Sequence, residues 1–138
     1  MGSSTTGADT VLRITNIDVT GIMSSSVEIS PLTSGSASNV DLVDLQNGRL
    51  AAVYSYVDGG TSGLYYSVFD SAGNVVSTHT QIPNAAGALN THLVPNATFD
   101  ASSSKLLVTW DTIGVGDSSN TPNLWGTNGL INVVGISL

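Results

Sequence analysis

The residues best suited to chemistry in this chain are few. There are two histidines, His79 and His92, no cysteine, and serines throughout. A hydrolytic Ser-His-Asp set needs a serine exposed on a strained turn, and no Gly-x-Ser-x-Gly elbow is present. His79 falls within a polar run and His92 at the start of a strand, so both read as solvent-facing or hydrogen-bonded side chains. Two histidines and no cysteine disfavour a zinc site. Asp41 and Asp44 are three residues apart on a strand and point to opposite faces, so they form no carboxylate pair unless a bulge intervenes. Asp58 and Asp117 each begin a Gly/Ser-rich loop. Calcium takes six to eight oxygen ligands, and these two aspartates are its only candidates. No twelve-residue calcium loop accompanies them, so no cofactor is expected apart from that calcium. Asp18 and Asp70 recur at like turns, where aspartate most often bonds its own backbone.

Binding is better represented than catalysis. Trp125 lies in a long loop between Pro122 and Gly126. A loop tryptophan stacks on a sugar ring, anchors a partner subunit or folds back over the core. With Asn123 and Tyr65 it forms the candidate set for a ligand or partner. Asn96-Ala97-Thr98 is a glycosylation sequon, meaningful only in a secreting host.

Composition narrows the partners. The 138 residues carry three basic side chains (Arg13, Arg49, Lys105) against ten acidic ones, for a net charge of −7. Nucleic-acid binding draws on clustered Lys and Arg, so it is disfavoured, and so are anionic membrane surfaces. No apolar run reaches the roughly 18 residues of a membrane span. The start, MGSSTTGAD, has neither the basic nor the apolar region of a signal peptide. Met1-Gly2 with Thr6 fits the myristoylation pattern only formally. Polar positions are dominated by Ser, Thr, Asn and Gly, as on exported, adhesive and virion proteins.

The elements that must hold these residues are strands. Residues 1–10 read as a polar leader and residues 11–138 as one all-β domain. The stretch from Asn47 to Asn74 organises the rest. Asn47-Gly48 is a turn dipeptide, because both residues tolerate positive φ. Arg49–Val57 follows, with Leu50, Ala52, Tyr54 and Tyr56 on one face and Ala51, Val53, Ser55 and Val57 on the other. Neither face is strongly polar, which marks a strand covered on both sides. Asp58–Gly63 reads as a loop, Leu64–Asp70 as the return strand and Val75–Ile82 as a polar edge strand. Before this stretch come strands at Val11–Val19, Ile22–Ile29 and Val40–Leu45, the last after a loop from Pro31 to Asn39 and innermost in its unit. After it come a loop from Pro83 to Thr91, a strand at His92–Asp100 broken by Pro95, a doubly buried strand at Lys105–Asp111, a loop from Thr112 to Gly129 and a closing strand at Leu130–Leu138. No segment keeps a helical apolar period.

A degenerate repeat runs through this order, in units of about 11–37, 38–88 and 91–138. Asp18 and Gly21 return as Asp70 and Gly73, 52 residues on, and Pro31 and Gly35 return as Pro83 and Gly87. Arg49-Leu50 and Tyr54 return as Lys105-Leu106 and Trp110, 56 residues on; Gly63-Leu64 returns as Gly129-Leu130, 66 on. The run NGR-L-x-A-V-Y with S-G-L-Y-Y-S-V-F-D-S-A-G-N-V resembles the repeats of large RTX-type bacterial adhesins and related surface proteins. The resemblance implies propeller-blade-like sheets and a non-catalytic adhesive or scaffolding role. The calcium-binding Gly-Gly-x-Gly-x-Asp nonapeptides of RTX proteins are missing, and Gly135-Ile136 stands where Phe-Asp would.

The expected architecture is therefore all-β, with antiparallel strands in blade-like repeated sheets or, alternatively, a two-layer β-sandwich. Nine strands make about two and a quarter units, fewer than the four blades a ring needs. The closing strand, with Leu130, Ile131, Val133, Val134, Ile136 and Leu138, is apolar on both faces and must be covered. Either the chain's own N-terminal strands or a neighbouring subunit would cover it. The expected function is a non-enzymatic surface or assembly protein: a virion fibre or decoration protein, or an adhesin module, homo-oligomeric and located on an extracellular surface or virion. A carbohydrate-binding lectin is the alternative, and a hydrolase on a β scaffold comes third.

Overall fold

The computed structural model describes residues 12–15, 17, 19–23, 26–28, 35–58, 61–83, 94–112 and 130–138. These residues form an all-β, antiparallel structure without helix. The strands are β1 (Arg13–Ile14), β2 (Val27–Glu28), β3 (Ser36–Asp44), β4 (Arg49–Asp58), β5 (Thr61–Asp70), β6 (Val75–Gln81), β7 (Asn96–Asp100), β8 (Lys105–Thr112) and β9 (Leu130–Ser137). They form three sheets, ordered β1-β2, β3-β4-β5-β6 and β7-β8-β9.

The four-stranded sheet is apolar on both faces, and both are packed. Its core face carries Val43, Ala51, Val53, Leu64 and Val68, which share one cluster with Leu106, Val108 and Trp110 of β8. Ala97, Phe99, Val134 and Ile136 of the three-stranded sheet pack against that cluster. Its tyrosine face carries Ala52, Tyr54, Tyr56 and Phe69, with Leu12 and Ile14 of the N-terminal hairpin packed against them. The missing polar alternation in β4 thus has a physical cause, since water reaches neither side. A polar link adds to the packing of the two larger sheets: the Ala97 N–H of β7 donates to Asp41 Oδ2 of β3 at 2.7 Å.

Several strands depart from the expected limits. β1 and β2 are two residues each, far shorter than Val11–Val19 and Ile22–Ile29, with a further bridge between Ile17 and Met23. β3 starts at Ser36, inside the expected Pro31–Asn39 loop, and lies at an edge of its sheet. A bulge between Ser38 and Asp41 carries Asn39 at φ 50°, and buried Ser55 closes it, with Oγ atoms of Ser38 and Ser55 at 2.9 Å and Ser55 Oγ donating to Ser38 O at 3.0 Å. The polar run before Val40 therefore joins the ladder because a serine satisfies its irregular backbone. The β4–β5 ladder extends to Asp58↔Thr61, so the expected Asp58–Gly63 loop is shorter. At the β3–β4 turn, positive φ falls on Gln46 and Gly48, not on Asn47, and the Gln46 N–H donates to Asp44 Oδ1 at 2.8 Å.

The third sheet also corrects two expectations. β8 is buried on one face only: Leu106, Val108 and Trp110 are enclosed, while Leu107 and Thr109 are half-buried and Lys105 is exposed. The pairing of Leu106 with Ile136, set beside that of Leu50 with Phe69, makes Ile131 rather than Leu130 the positional match of Leu64. The true spacing is one residue longer than the sequence match implied. A one-residue slip exchanges the faces of a strand, and here the register is fixed by Val134 and Ile136 turning to the core. The sequon residue Asn96 opens β7 and is exposed. His92, Asp18, most of the 83–91 loop and the whole of 113–129 lie outside the described residues.

Candidate functional site

The densest set of functional groups lies on the tyrosine face, where β4, β5 and β6 meet. Tyr54 and Tyr56 project from β4, Tyr65 and Ser67 from β5. The fifth member, His79, sits at an irregularity. Between Tyr66↔Thr80 and Val68↔Ser77, β6 holds one residue more than β5, and His79 takes φ 42°. The His79 N–H, turned out of the ladder, donates to Ser67 Oγ at 3.0 Å. Ser67 is fully buried, so it serves β6 as Ser55 serves β3. The imidazole lies on the aromatic face, opposite Ser67, and the bulge frees its backbone N–H for that serine.

The geometry of the cluster is close. The Tyr54 hydroxyl lies 2.9 Å from His79 Nδ1 and 3.2 Å from Ser67 Oγ. Tyr65 stacks on His79 with ring centroids 4.1 Å apart and planes 6° apart. Tyr56 meets His79 edge-on at 4.5 Å and Tyr65 edge-on at 5.5 Å. Tyr56 in turn lies against Gly35, where a Cβ would fall 2.9 Å from the Tyr56 hydroxyl oxygen and 2.5 Å from the Val57 carbonyl oxygen. Only glycine, here at φ 89°, fits that approach.

Electrostatics fix the protons. Burial raises the Tyr54 pKa to about 12, opposed by the hydrogen bond from Ser67. Burial lowers the His79 pKa from its ordinary 6.5. Both groups are thus neutral at pH 7: Tyr54 is a protonated phenol facing an imidazole that can accept at Nδ1 and carry its proton on Nε2. A neutral histidine beside a serine is the start of a hydrolytic set, but Ser67 is sealed from solvent and receives the His79 backbone N–H. The arrangement makes a rigid, half-exposed aromatic surface in which Tyr65 and His79 reach solvent.

Two other aspartates do turn work. Asp70 accepts from the N–H groups of Ala72 and Asn74 at 2.9 and 2.8 Å and from Asn74 Nδ2 at 3.0 Å, as expected of it. These bonds, Asn74's first, hold its pKa down. Asp100 does the same in the β7–β8 turn, accepting from Ser102 N–H at 3.0 Å and from the Ser102 and Ser103 hydroxyls, so that its pKa falls to about 2. A carboxylate with a depressed folded pKa stabilises the fold above its unfolded pKa, and that contribution is lost as pH falls through the folded value. A histidine with a depressed pKa acts in the same direction at higher pH. Acid titration followed by circular dichroism should therefore show stability declining first below pH 6.5, through His79, and again below pH 3.8, through Asp70 and Asp100, the latter down to about 2. D100N should shrink the second step, leaving Asp70's part, and leave the first; an unchanged acid limb would contradict the role of this turn.

Of the sequence candidates, Tyr65 belongs to the cluster, whereas Trp125, Asn123 and Asp117 lie outside the described residues. Asp58 is exposed at the end of β4, and no group of three potential metal ligands occurs among the described residues. Of the two readings of His79, solvent-facing or hydrogen-bonded, the structure shows the second, with the ring half-buried against three tyrosines. Tyr56 and Ser67 were not candidates at all. The Tyr54-x-Tyr56 of β4 opposite Tyr65 was the available signal for this cluster. In comparisons with known proteins, no family model, curated protein or solved structure matches the chain.

Proposed function

We propose that this chain is a non-enzymatic surface or assembly protein, such as a virion fibre or decoration protein or an adhesin module, whose sheets stack like propeller blades. The observation that carries the reading is β9. Its outer side has no strand partner among the described residues, and Ile131 and Val133 are 78% and 67% exposed. Cover by the chain's own N-terminal strands, one of the two expectations, is not found among the described residues. A regular apolar edge is a template for association unless something covers it. The other edges of the two larger sheets are blunted. β3 and β6 carry bulges, and the outward Ala97 N–H of β7 is taken by Asp41.

The blade-like reading is supported by how the sheets meet. Leu50, Ala52 and Tyr54 and their counterparts Leu106, Val108 and Trp110 all face the preceding sheet. Leu12 and Ile14, which match Leu64 and Tyr66 in position, both face the following one. Deleting residues 130–138 tests the assembly reading by sedimentation: loss of the oligomer or aggregation is expected, and a soluble, folded product of unchanged size would overturn it.

A lectin is the second reading, favoured by the half-exposed Tyr65–His79 stack, since sugar rings pack on such surfaces. Glycan binding lost in Tyr65→Ala would favour it over assembly.

A further inference from the structure

The outer face of the three-stranded sheet presents Leu107 and Thr109 from β8 beside Ile131 and Val133 from β9, with Gly135 seated between Lys105 and Leu107. By strand pairing these are the counterparts of Ala51, Val53, Leu64 and Tyr66 on the core face of the four-stranded sheet. There Ala51, Val53 and Leu64 are fully buried beneath the next sheet. In the third sheet the same positions, apolar except for Thr109, are half-buried on β8 and open on β9.

Among the described residues the opposite end of the stack is open as well. In the N-terminal hairpin Leu12 and Ile14 turn inward, so Arg13 and Thr15 turn outward and are exposed, as is Ile17 at 65%. These match Tyr65, Ser67 and Phe69 of the tyrosine face, with the Ile17–Met23 bridge standing where Phe69 pairs with Val75. Within one chain, then, a core-type face packs on a tyrosine-type face twice: hairpin on four-stranded sheet, and four-stranded on three-stranded sheet. Among the described residues one face of each type is left over, at opposite ends.

We propose that a second copy of this chain covers the outer face of the three-stranded sheet with the outer face of its N-terminal hairpin, so that copies join head to tail. The proposal rests on the assembly reading and gives it a partner and a direction. The occupant is a second copy because the complementary face exists on the same molecule and the contact repeats one the chain already makes twice. Such a contact is heterologous: it closes into a ring if the rotation per copy divides a full turn, and otherwise extends as a filament. Each copy carries a charge of −7, so association strengthens with added salt, which screens the repulsion.

The test uses the full chain in two surface variants, I131K/V133K on the sheet and T15K/I17K on the hairpin, each checked for an unchanged strand spectrum. In sedimentation velocity the unmodified chain should form multimers that grow with concentration and salt. Each variant alone should run as a monomer, and an equimolar mixture should give a one-to-one complex, since one open face of each type remains. A hairpin variant that associates like the unmodified chain, a silent mixture, or an unmodified chain that stays monomeric would overturn the proposal. If deletion of β9 abolishes association while these variants do not alter it, the head-to-tail contact fails and the assembly reading stands. The absence of cysteine allows a milder version. Oxidised T15C/V133C should give a covalent ladder while T15C and V133C singly give none; a dimer from V133C alone would mean two sheet faces meeting about a two-fold axis, and would overturn the proposal.

Discussion

Tyr54→Ala will destabilise the fold by about 3–5 kcal/mol, the range for buried aromatic deletions. Tyr54 is fully buried at the centre of the tyrosine face, with the N-terminal hairpin packed over its cluster. Removing the ring leaves a cavity between two sheets that cannot close without moving both. It also strips His79 Nδ1 and Ser67 Oγ of the phenol they share. Tyr54→Phe separates the two losses. It keeps the ring and removes the hydroxyl, and should cost about 1–3 kcal/mol for the unsatisfied partners. Urea unfolding of the three proteins measures both quantities. If alanine at this position costs less than about 1 kcal/mol, well below the cavity range, the face is not sealed and the layered packing fails there.

Trp110→Ala should cost a similar 3–5 kcal/mol, roughly, for a different reason. Trp110 reaches from β8 into the cluster that joins the two larger sheets, among Val53, Leu64 and Leu106. With no disulfide to staple the sheets, apolar packing and the Asp41–Ala97 link hold them together. Alanine should lower the midpoint and also broaden the transition, as the sheets begin to unfold separately. Thr109→Ala, one residue away on the outer face, should change stability by no more than about 0.5 kcal/mol. Equal effects at 109 and 110 would contradict the face assignment of β8.

What the sequence conveyed follows from where side chains alone decide the outcome. Arg49–Val57 lacks polar alternation, and this was enough to place β4 under cover on both sides. Asp70 bonds its own turn, as aspartate does where a strand must reverse within a few residues. Failures cluster where backbone irregularity intervenes. Nothing in the run Ser36–Asn39 marks it as strand; the bulge at Asn39 depends on Ser55, 16 residues away. His79 sits in a polar run that leaves open whether it meets water or a hydrogen-bond partner, and its partner is Tyr54, 25 residues away. No local pattern encodes that pairing, because Tyr54 and Ser67 lie on other strands. β8 erred the other way. Apolar residues on both faces are read as burial within the chain, but Leu107 and Thr109 face outward. Of the candidate binding set, only Tyr65 can be placed.

The connection between β8 and β9 sets an order of events during folding. Adjacent strands elsewhere close over short turns, such as Asp70 to Asn74 or Asp100 to Lys105. β9 must instead find β8 across residues 113–129, from Thr112 to Leu130. The entropy of closing a loop rises with its length, so hairpins of neighbouring strands form early and this pairing comes late. Until it does, β8 has one open edge, and the side of Leu106, Val108 and Trp110 nearest β9 is uncovered. The dangerous interval for a newly made chain is therefore the wait for its last strand, and pulse-labelled hydrogen exchange should find β9 amides protected after those of β4.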